Sequence, residues 1–389
     1  MDDTRFGICH FEMINPTEWF TGLPENINDP LLLKSAVMLR DAGMAWNRFE
    51  FAWSTVEPQP GAWDWSALDA YMNLSDYYGL RVLPILAYGV GWACKDPNNY
   101  LSPITNLTAW REYINATVTR YKDRPSIGGY WQIWNEANIA PFFAGDFVTD
   151  FLPIMVAGAE AVKQADPTAK VVATALTSDD MGGIITQMVN GIGKDKFNAL
   201  FDAVDIHPYA GDVQRVTRKI QDAKDALAGW YSGELWITEV GWSVNPATAG
   251  SEADIGKAQD IAKVLVESRV LNVTHTLVHM WCDWGDVING VKVQNATNPE
   301  HWYGLVDINA NPKPSYYAYK TVANAIGLAS YQGDPTTAGL NFAPEIEAHV
   351  FKRSNSMWVV VLWNPEDRII PLTLLLPGAG DVMVQNTTG

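Results

Sequence analysis

Short runs of apolar, often β-branched residues alternate with longer stretches whose apolar positions recur every three to four residues, up to about residue 325. The first pattern suits strands of a covered parallel sheet, and the second suits helices lying on it. Eight runs read as strands, at residues 5–10, 45–49, 81–86, 130–134, 170–174, 203–206, 235–239 and 276–281. The helical stretches between them carry their own punctuation. Asp29 with Pro30 reads as a helix start, Leu32, Leu33, Ala36, Val37 and Met44 as its apolar face, and Gly43 as its stop. Ser66 and Asp69 read as a capping box ahead of a stretch ending at Gly79, and Asp166-Pro167 closes the helix after the fourth strand. Eight strand–helix repeats close most simply into a (β/α)8 TIM barrel of the α/β class. An open doubly wound sheet would carry a glycine-rich phosphate loop after its first strand, and Gly7-Ile8-Cys9-His10 is not one.

Residues 314–326 read as the last helix of the barrel, ended by Gly327. The texture then changes to alternating or continuous apolar runs at 345–352, 357–363, 369–376 and 381–385, separated by turn residues such as Asn355 and Pro377-Gly378. A barrel over 1–328 and a small antiparallel β domain over 329–389 are therefore expected. Four strands make a marginal core alone, so this second unit either leans on the barrel or is cut short at Gly389.

Charge narrows the partners. With 27 basic against 44 acidic residues the net charge is −17, which suits neither a nucleic-acid backbone nor an anionic membrane, and favours neutral or cationic substrates over polyanions. No apolar run is long enough to span a membrane. Met1-Asp2-Asp3-Thr4 has none of the character of a secretory leader, although an extracellular or periplasmic location is expected. Cys9, Cys94 and Cys282 are too scattered for a disulfide framework or a metal-binding spacing. Seventeen tryptophans point towards sugars, because indole rings stack on them.

Function in a barrel gathers at the C-terminal ends of its strands. The fourth strand ends in Trp134-Asn135-Glu136 and the seventh in Ile237-Thr238-Glu239, so barrel closure aims two distant glutamates into one cleft. Such a pair can split a glycosidic bond, one carboxyl donating a proton to the leaving oxygen and the other attacking or activating water. The two segments resemble the acid/base and nucleophile motifs of clan A glycoside hydrolases. Further segments match in order: Trp46 through Asp64-Trp65, Asp205-Ile206-His207-Pro208-Tyr209, Met280-Trp281, and Tyr303-Gly304-Leu305-Val306-Asp307 through Lys313-Pro314.

The resemblance spans residues 5–325 and, with His-Pro-Tyr on the sixth strand and a β-rich tail, is greatest to glycoside hydrolase family 39. Family 5 is next, but the third strand ends Leu86-Ala87-Tyr88-Gly89 without that family's histidine. The resemblance implies a retaining double displacement with no cofactor and no metal, acting on a carbohydrate. Glu136 becomes acid then base, Glu239 the nucleophile, Asn135 a partner of the sugar 2-hydroxyl, and Arg48 and Tyr209 the groups that keep Glu239 ionised. His207 lines the same pocket, and Trp281 forms its floor.

Plainer readings stand beside these. Arg48 is equally a structural partner for Glu50 or Glu12, and His207 a satisfied core histidine. Trp46, Trp63, Trp65, Trp131 and Trp236 read as packing, while Trp92, Trp242 and Trp284 face bound glycan or anchor loops. His10, Glu12, Asp283 and Asp286 sit near the mouth without an assigned role, and a metal site from His207, His275, His279 and nearby acids lacks a compact spacing. Endo-acting cleavage of a polysaccharide is the favoured activity, exo-acting β-xylosidase chemistry the alternative, and a non-catalytic glycan-binding barrel the reading from another class.

Overall fold

The computed structural model describes residues 5–9, 30–245, 252–288, 291–340, 342–343 and 345–364. Eight parallel strands close into a barrel in sequence order: β1 (Phe6–Cys9), β2 (Trp46–Ala52), β3 (Arg81–Ala87), β4 (Tyr130–Ile133), β5 (Lys170–Leu176), β6 (Ala203–Ile206), β7 (Glu234–Ile237) and β8 (His275–Val278). Closure is made by β1 against β8, with Ile8 opposite Val278. The expected architecture is present, and the strand boundaries differ most from expectation at β2, which runs on to Ala52, and at the last two strands. These end at Ile237 and Val278, so Glu239 and Trp281 belong to the loops above them.

Helices cover the outside. Asn106, Asp180 and Asp212 each accept a hydrogen bond from a backbone N–H in the first turn of the helices Leu107–Tyr121, Met181–Ile192 and Val213–Leu227. The helix Ser66–Tyr78 starts differently from expectation. Asp64, not Ser66, accepts the hydrogen bonds at its start, while Asp69 is drawn sideways to Arg120 and Tyr121. It ends at Gly79 in the left-handed conformation, φ +67°. The expected closing helix is Pro314–Ile326, and the helix before β5 stops at Ala165 ahead of Asp166-Pro167.

Two small sheets were not anticipated in full. A hairpin pairs β9 (Asp286–Ile288) with β10 (Val291–Val293), and three antiparallel strands follow the barrel: β11 (Ser330–Gly333), β12 (Glu347–Lys352) and β13 (Trp358–Trp363). The expected runs at 345–352 and 357–363 correspond to β12 and β13, β11 is additional, and those at 369–376 and 381–385 lie outside the described residues. This sheet shares its core with the barrel: Phe351 is fully buried among side chains that include Leu32, Ile326 and Val266. Among the described residues no helix is long and apolar enough to cross a membrane.

The barrel interior decides where the chemistry goes. Side chains on a strand alternate between faces, so Trp46, Arg48 and Glu50 of β2 share the inward face, while Phe49 points outward and stacks on Tyr71. At the lower end Trp46, Tyr130, Trp236 and His275 pack edge-on or tilted, with centroid separations between 4.1 and 5.9 Å for Trp236–His275 and Trp46–Tyr130. Gly128 leaves room for this plug, since a Cβ there would sit 2.2 Å from the Trp46 ring. One pleat period higher the inward positions are Arg48, Gln132, Asp205 and Thr238, all fully buried.

Candidate active site

Those four residues make one bonded layer. Arg48 donates from Nε to Gln132 Oε1 (2.7 Å), from Nη1 to Glu239 Oε1 (2.6 Å) and from Nη2 to Asn135 Oδ1 (2.8 Å). Gln132 passes its amide on to Asp205 Oδ2 (2.5 Å), and Asp205 also accepts from the Thr238 hydroxyl and from the Thr238 N–H (2.9 Å). Burial alone would disfavour the guanidinium, yet Glu239, Cys9 and Asp205 raise Arg48 above its ordinary value. A cation this deep is tolerable only because its three directions of donation are all met.

The two glutamates stand on top of this layer. Glu136 is 7% and Glu239 9% exposed. After β4 the backbone turns sharply: Trp134 (φ +66°) and Glu136 (φ +42°) both adopt left-handed conformations, rare outside glycine. That turn is held by the Trp134 N–H on the Leu86 carbonyl (3.1 Å) and by the Trp134 indole on the Phe142 carbonyl (2.9 Å). Such strain persists where surrounding contacts enforce it, commonly at functional sites.

Glu239 accepts from Arg48 on one oxygen and from the Tyr209 hydroxyl on the other (2.9 Å), two donors that favour its ionised form. Burial, then the charges of Glu239 and Glu136, push Tyr209 well above its ordinary value, so it stays a donor. Glu136 meets His207 Nδ1 at 2.7 Å, and the other ring nitrogen lies 2.9 Å from Thr238 Oγ1. The Thr238 hydroxyl hydrogen is committed to Asp205, so Thr238 accepts and His207 Nε2 must carry hydrogen. A single further proton is then shared between Glu136 and Nδ1. Burial disfavours the charged ring, but Glu239 and the Glu136 hydrogen bond outweigh it and raise His207. Carboxylate oxygens of Glu136 and Glu239, together with a His207 ring nitrogen, all lie within 4.8 Å of one another.

Of the residues singled out from the sequence, Arg48, Asn135, Glu136, His207, Tyr209 and Glu239 are thus brought into one bonded cluster. Trp281 is not. It is fully buried against the barrel's outer layer, its ring 6.2 Å from and edge-on to Tyr316 of the last helix, because β8 ends three residues earlier and the chain turns before reaching it. The residue beside the carboxylates is His279, with Nδ1 3.7 Å from Glu239 Oε2, Nε2 3.8 Å from Glu300, and its ring against Tyr303 (5.1 Å) and Tyr209 (6.2 Å). The wall carrying Tyr303 is held from below by Lys257, which donates to the carbonyls of Trp302, Tyr303 and Gly304 at 2.7–3.3 Å.

Gln132, Asp205, Thr238 and His279 were not given roles from the sequence. The first three were detectable as polar residues on inward steps of otherwise apolar strands, where a buried polar group needs a partner. Asp283 is a structural ion-pair partner of Lys313 (2.9 Å), and Asp286 lies 3.7 Å from His301. His10 and Glu12 lie outside the described residues. Trp46, Trp131 and Trp236 are buried packing, whereas Trp63 is 38% exposed and stacks flat on Trp65. Trp92, Trp242 and Trp284 are half-buried. Two ligand-type groupings overlap the site, Glu136 with His207 and Glu239, and Cys9 with Glu239 and His279; either has the donor set for a metal ion, the second with a soft thiol. His275 belongs to the aromatic plug at the other end.

Comparison with known proteins places the fold. The sequence model of a β-galactosidase family, glycoside hydrolase family 42, matches residues 23–89. No curated protein sequence matches the chain. Among solved structures, a family 39 glycoside hydrolase from the gut symbiont Bacteroides cellulosilyticus WH2 is similar with a TM-score of 0.68 at 19% identity, over 93% of this chain and 70% of that one. A family 39 β-xylosidase from Caulobacter crescentus gives 0.61 at 18% identity, over 90% and 76%. Xylanase 10B from Thermotoga petrophila RKU-1, solved with xylobiose, gives 0.58 at 16% identity, over 83% and 94%. At these identities the likeness is one of fold, and the fold is the one that the motif resemblance to clan A and family 39 implies.

Proposed function

We propose that this chain is a retaining glycoside hydrolase, with Glu239 as nucleophile and Glu136 as acid and then base. The observation that carries the reading is the closeness of the two carboxylates, one oxygen of Glu136 lying within 4.8 Å of one of Glu239. Retaining enzymes hold the pair at about 5–5.5 Å, whereas inversion needs ~6.5–9.5 Å to admit a water between sugar and base. Glu239, bound by Arg48 and Tyr209, attacks the anomeric carbon while Glu136 delivers its proton to the departing oxygen. His207 Nδ1 keeps its hydrogen bond to Glu136 while the charge on that carboxyl changes. Water, deprotonated by Glu136, then releases the sugar from Glu239. Asn135, held by Arg48, directs its amide to the sugar 2-hydroxyl, a bond that strengthens as positive charge builds on the ring.

Half-buried Trp92, Trp242 and Trp284 after three different strands support a cleft with several sugar subsites and hence endo-acting cleavage of a polysaccharide, for which we propose an extracellular or periplasmic location. The likeness to a family 39 β-xylosidase favours exo action on a terminal sugar as the second reading. Product sizes from a panel of plant and bacterial polysaccharides separate the two. The mechanism is tested on aryl glycosides. Glu239→Gly should lose on the order of 10⁴-fold or more in kcat and regain turnover with azide, yielding a glycosyl azide of inverted configuration. Glu136→Ala should lose far more on poor leaving groups than on good ones; equal loss on both removes the acid role.

A further inference from the structure

Where the three-stranded sheet meets the barrel, it lays one face of β12 against the helix Glu252–Val270. Side chains alternate along a strand, so Glu347, His349 and Phe351 share that face, and Phe351 is buried with Val266 of the helix. Glu267, the next residue of the helix, has Oε1 3.4 Å from His349 Nε2. One carboxylate oxygen of Glu267, one of Glu347 and a ring nitrogen of His349 all lie within 4.8 Å of one another. Glu347 is paired across the sheet with Trp363, whose indole N–H donates to Glu347 Oε2 (2.7 Å) and whose ring centroid is 5.3 Å from that of His349. That bond leaves the Glu347 carboxylate further acceptor positions.

Two observations set this cluster apart from a surface ion pair. Neither ring nitrogen of His349 has a hydrogen-bond partner among the described residues, although both are sealed from solvent, and such atoms are costly to leave unmet. Glu267 is only 9% exposed, yet its one ion pair among the described residues is with this histidine, so no lysine or arginine offsets the buried carboxylate. The separation of 3.4 Å is long for a hydrogen bond. It is, however, the edge of a tetrahedron about zinc, since ligands at ~2.0–2.2 Å from that ion stand about 3.3–3.6 Å apart. One neutral imidazole and two carboxylates also balance a divalent charge. Calcium and magnesium, which take oxygen ligands, match an imidazole less well. Glu347 is exposed, which opens the fourth position to water.

We propose that Glu267, His349 and Glu347 bind one zinc ion that clamps the C-terminal sheet to the barrel. None of the three takes part in the glycosidase centre, so the inference stands or falls independently of that reading. It is tested with the full chain, stripped with EDTA, desalted and titrated with zinc chloride in a calorimeter, the bound metal being counted by atomic emission. Wild type should bind zinc with a micromolar or tighter Kd, and its Tm should rise by ~2–5 °C at a hundredfold excess over Kd. His349→Ala should bind one zinc fewer and lose that rise, and Glu347→Gln should weaken the site at least ~10-fold. The count is taken by difference because zinc held by the catalytic cluster stays in His349→Ala. No zinc uptake by wild type, as a bare Glu267–His349 ion pair predicts, overturns the proposal. So does the same stoichiometry and Tm rise in His349→Ala. Should His349→Ala fail to fold, the exposed Glu347→Gln decides: weakened zinc binding upholds the site, and unchanged binding overturns it.

Discussion

The lower and upper halves of the barrel interior are built from the same strands and do opposite things. On β2, β4, β6 and β7 the lower inward residues are Trp46, Tyr130, Ala203 and Trp236, and the next inward residues are Arg48, Gln132, Asp205 and Thr238. A separation of about 6.6 Å along each strand changes the filling from rings to hydrogen bonds. The lower plug stabilises by burial, each indole removing some 150–250 Å² from water, worth roughly 4–6 kcal/mol before ordering costs. The upper layer contributes little net stability, because buried charges recover their desolvation only through complete pairing. What it supplies is a fixed direction for Glu239, Asn135 and, through Thr238, His207. The plug tolerates imperfect polar satisfaction at its edge, where the Trp46 indole N–H has no hydrogen-bond partner among the described residues; in the upper layer every side-chain nitrogen of Arg48 and Gln132 is bonded.

This contrast can be broken at defined points. The largest double effect is expected from Arg48→Ala, which strips Glu239 and Asn135 of their common partner. It should cost on the order of 3–5 kcal/mol in urea unfolding together with nearly all activity; near-normal kcat would remove Arg48 from the mechanism. Trp236→Ala should cost a similar ~3–5 kcal/mol but leave KM and kcat of the remaining folded enzyme close to wild type. A changed KM would mean that the two halves are mechanically coupled. Trp281→Phe should lower stability by about 1–3 kcal/mol without altering sugar binding, and a selective rise in KM would restore Trp281 to the pocket. The smallest effect concerns pH. His207 binds its proton more tightly folded than unfolded, so this contribution is full below its ordinary value of ~6.5 and fades as pH rises through its raised folded value. The Tm difference between wild type and His207→Gln should therefore be greatest near pH 5 and shrink towards alkaline pH, and a constant gap would argue against a shared proton.

Much of this was legible in the sequence because strands and chemistry obey the same short period. The barrel followed from eight alternating repeats, and Glu136 and Glu239 from their positions at strand ends. Arg48 came through the resemblance to clan A, and its inward position on β2 agrees with it. Trp281 was expected in the pocket from the resemblance to an eighth-strand tryptophan, but the strand stops at Val278, after which alternation no longer fixes direction. His279 was weighed only as a metal ligand, because its place beside Glu239 depends on the same turn. The wiring through Gln132, Asp205 and Thr238 depends on which side chains meet across the barrel, which no single strand records. The capping pair Ser66 and Asp69 failed because Asp69 found stronger partners in Arg120 and Tyr121, a tertiary contact overriding a local motif.

Trp46, Arg48 and Glu50 follow one another up a single face of β2, and this vertical stacking has an evolutionary consequence. The ring plug and the hydrogen-bonded layer sit at successive heights of one ribbon, so a change at the topmost position need not disturb the two beneath it.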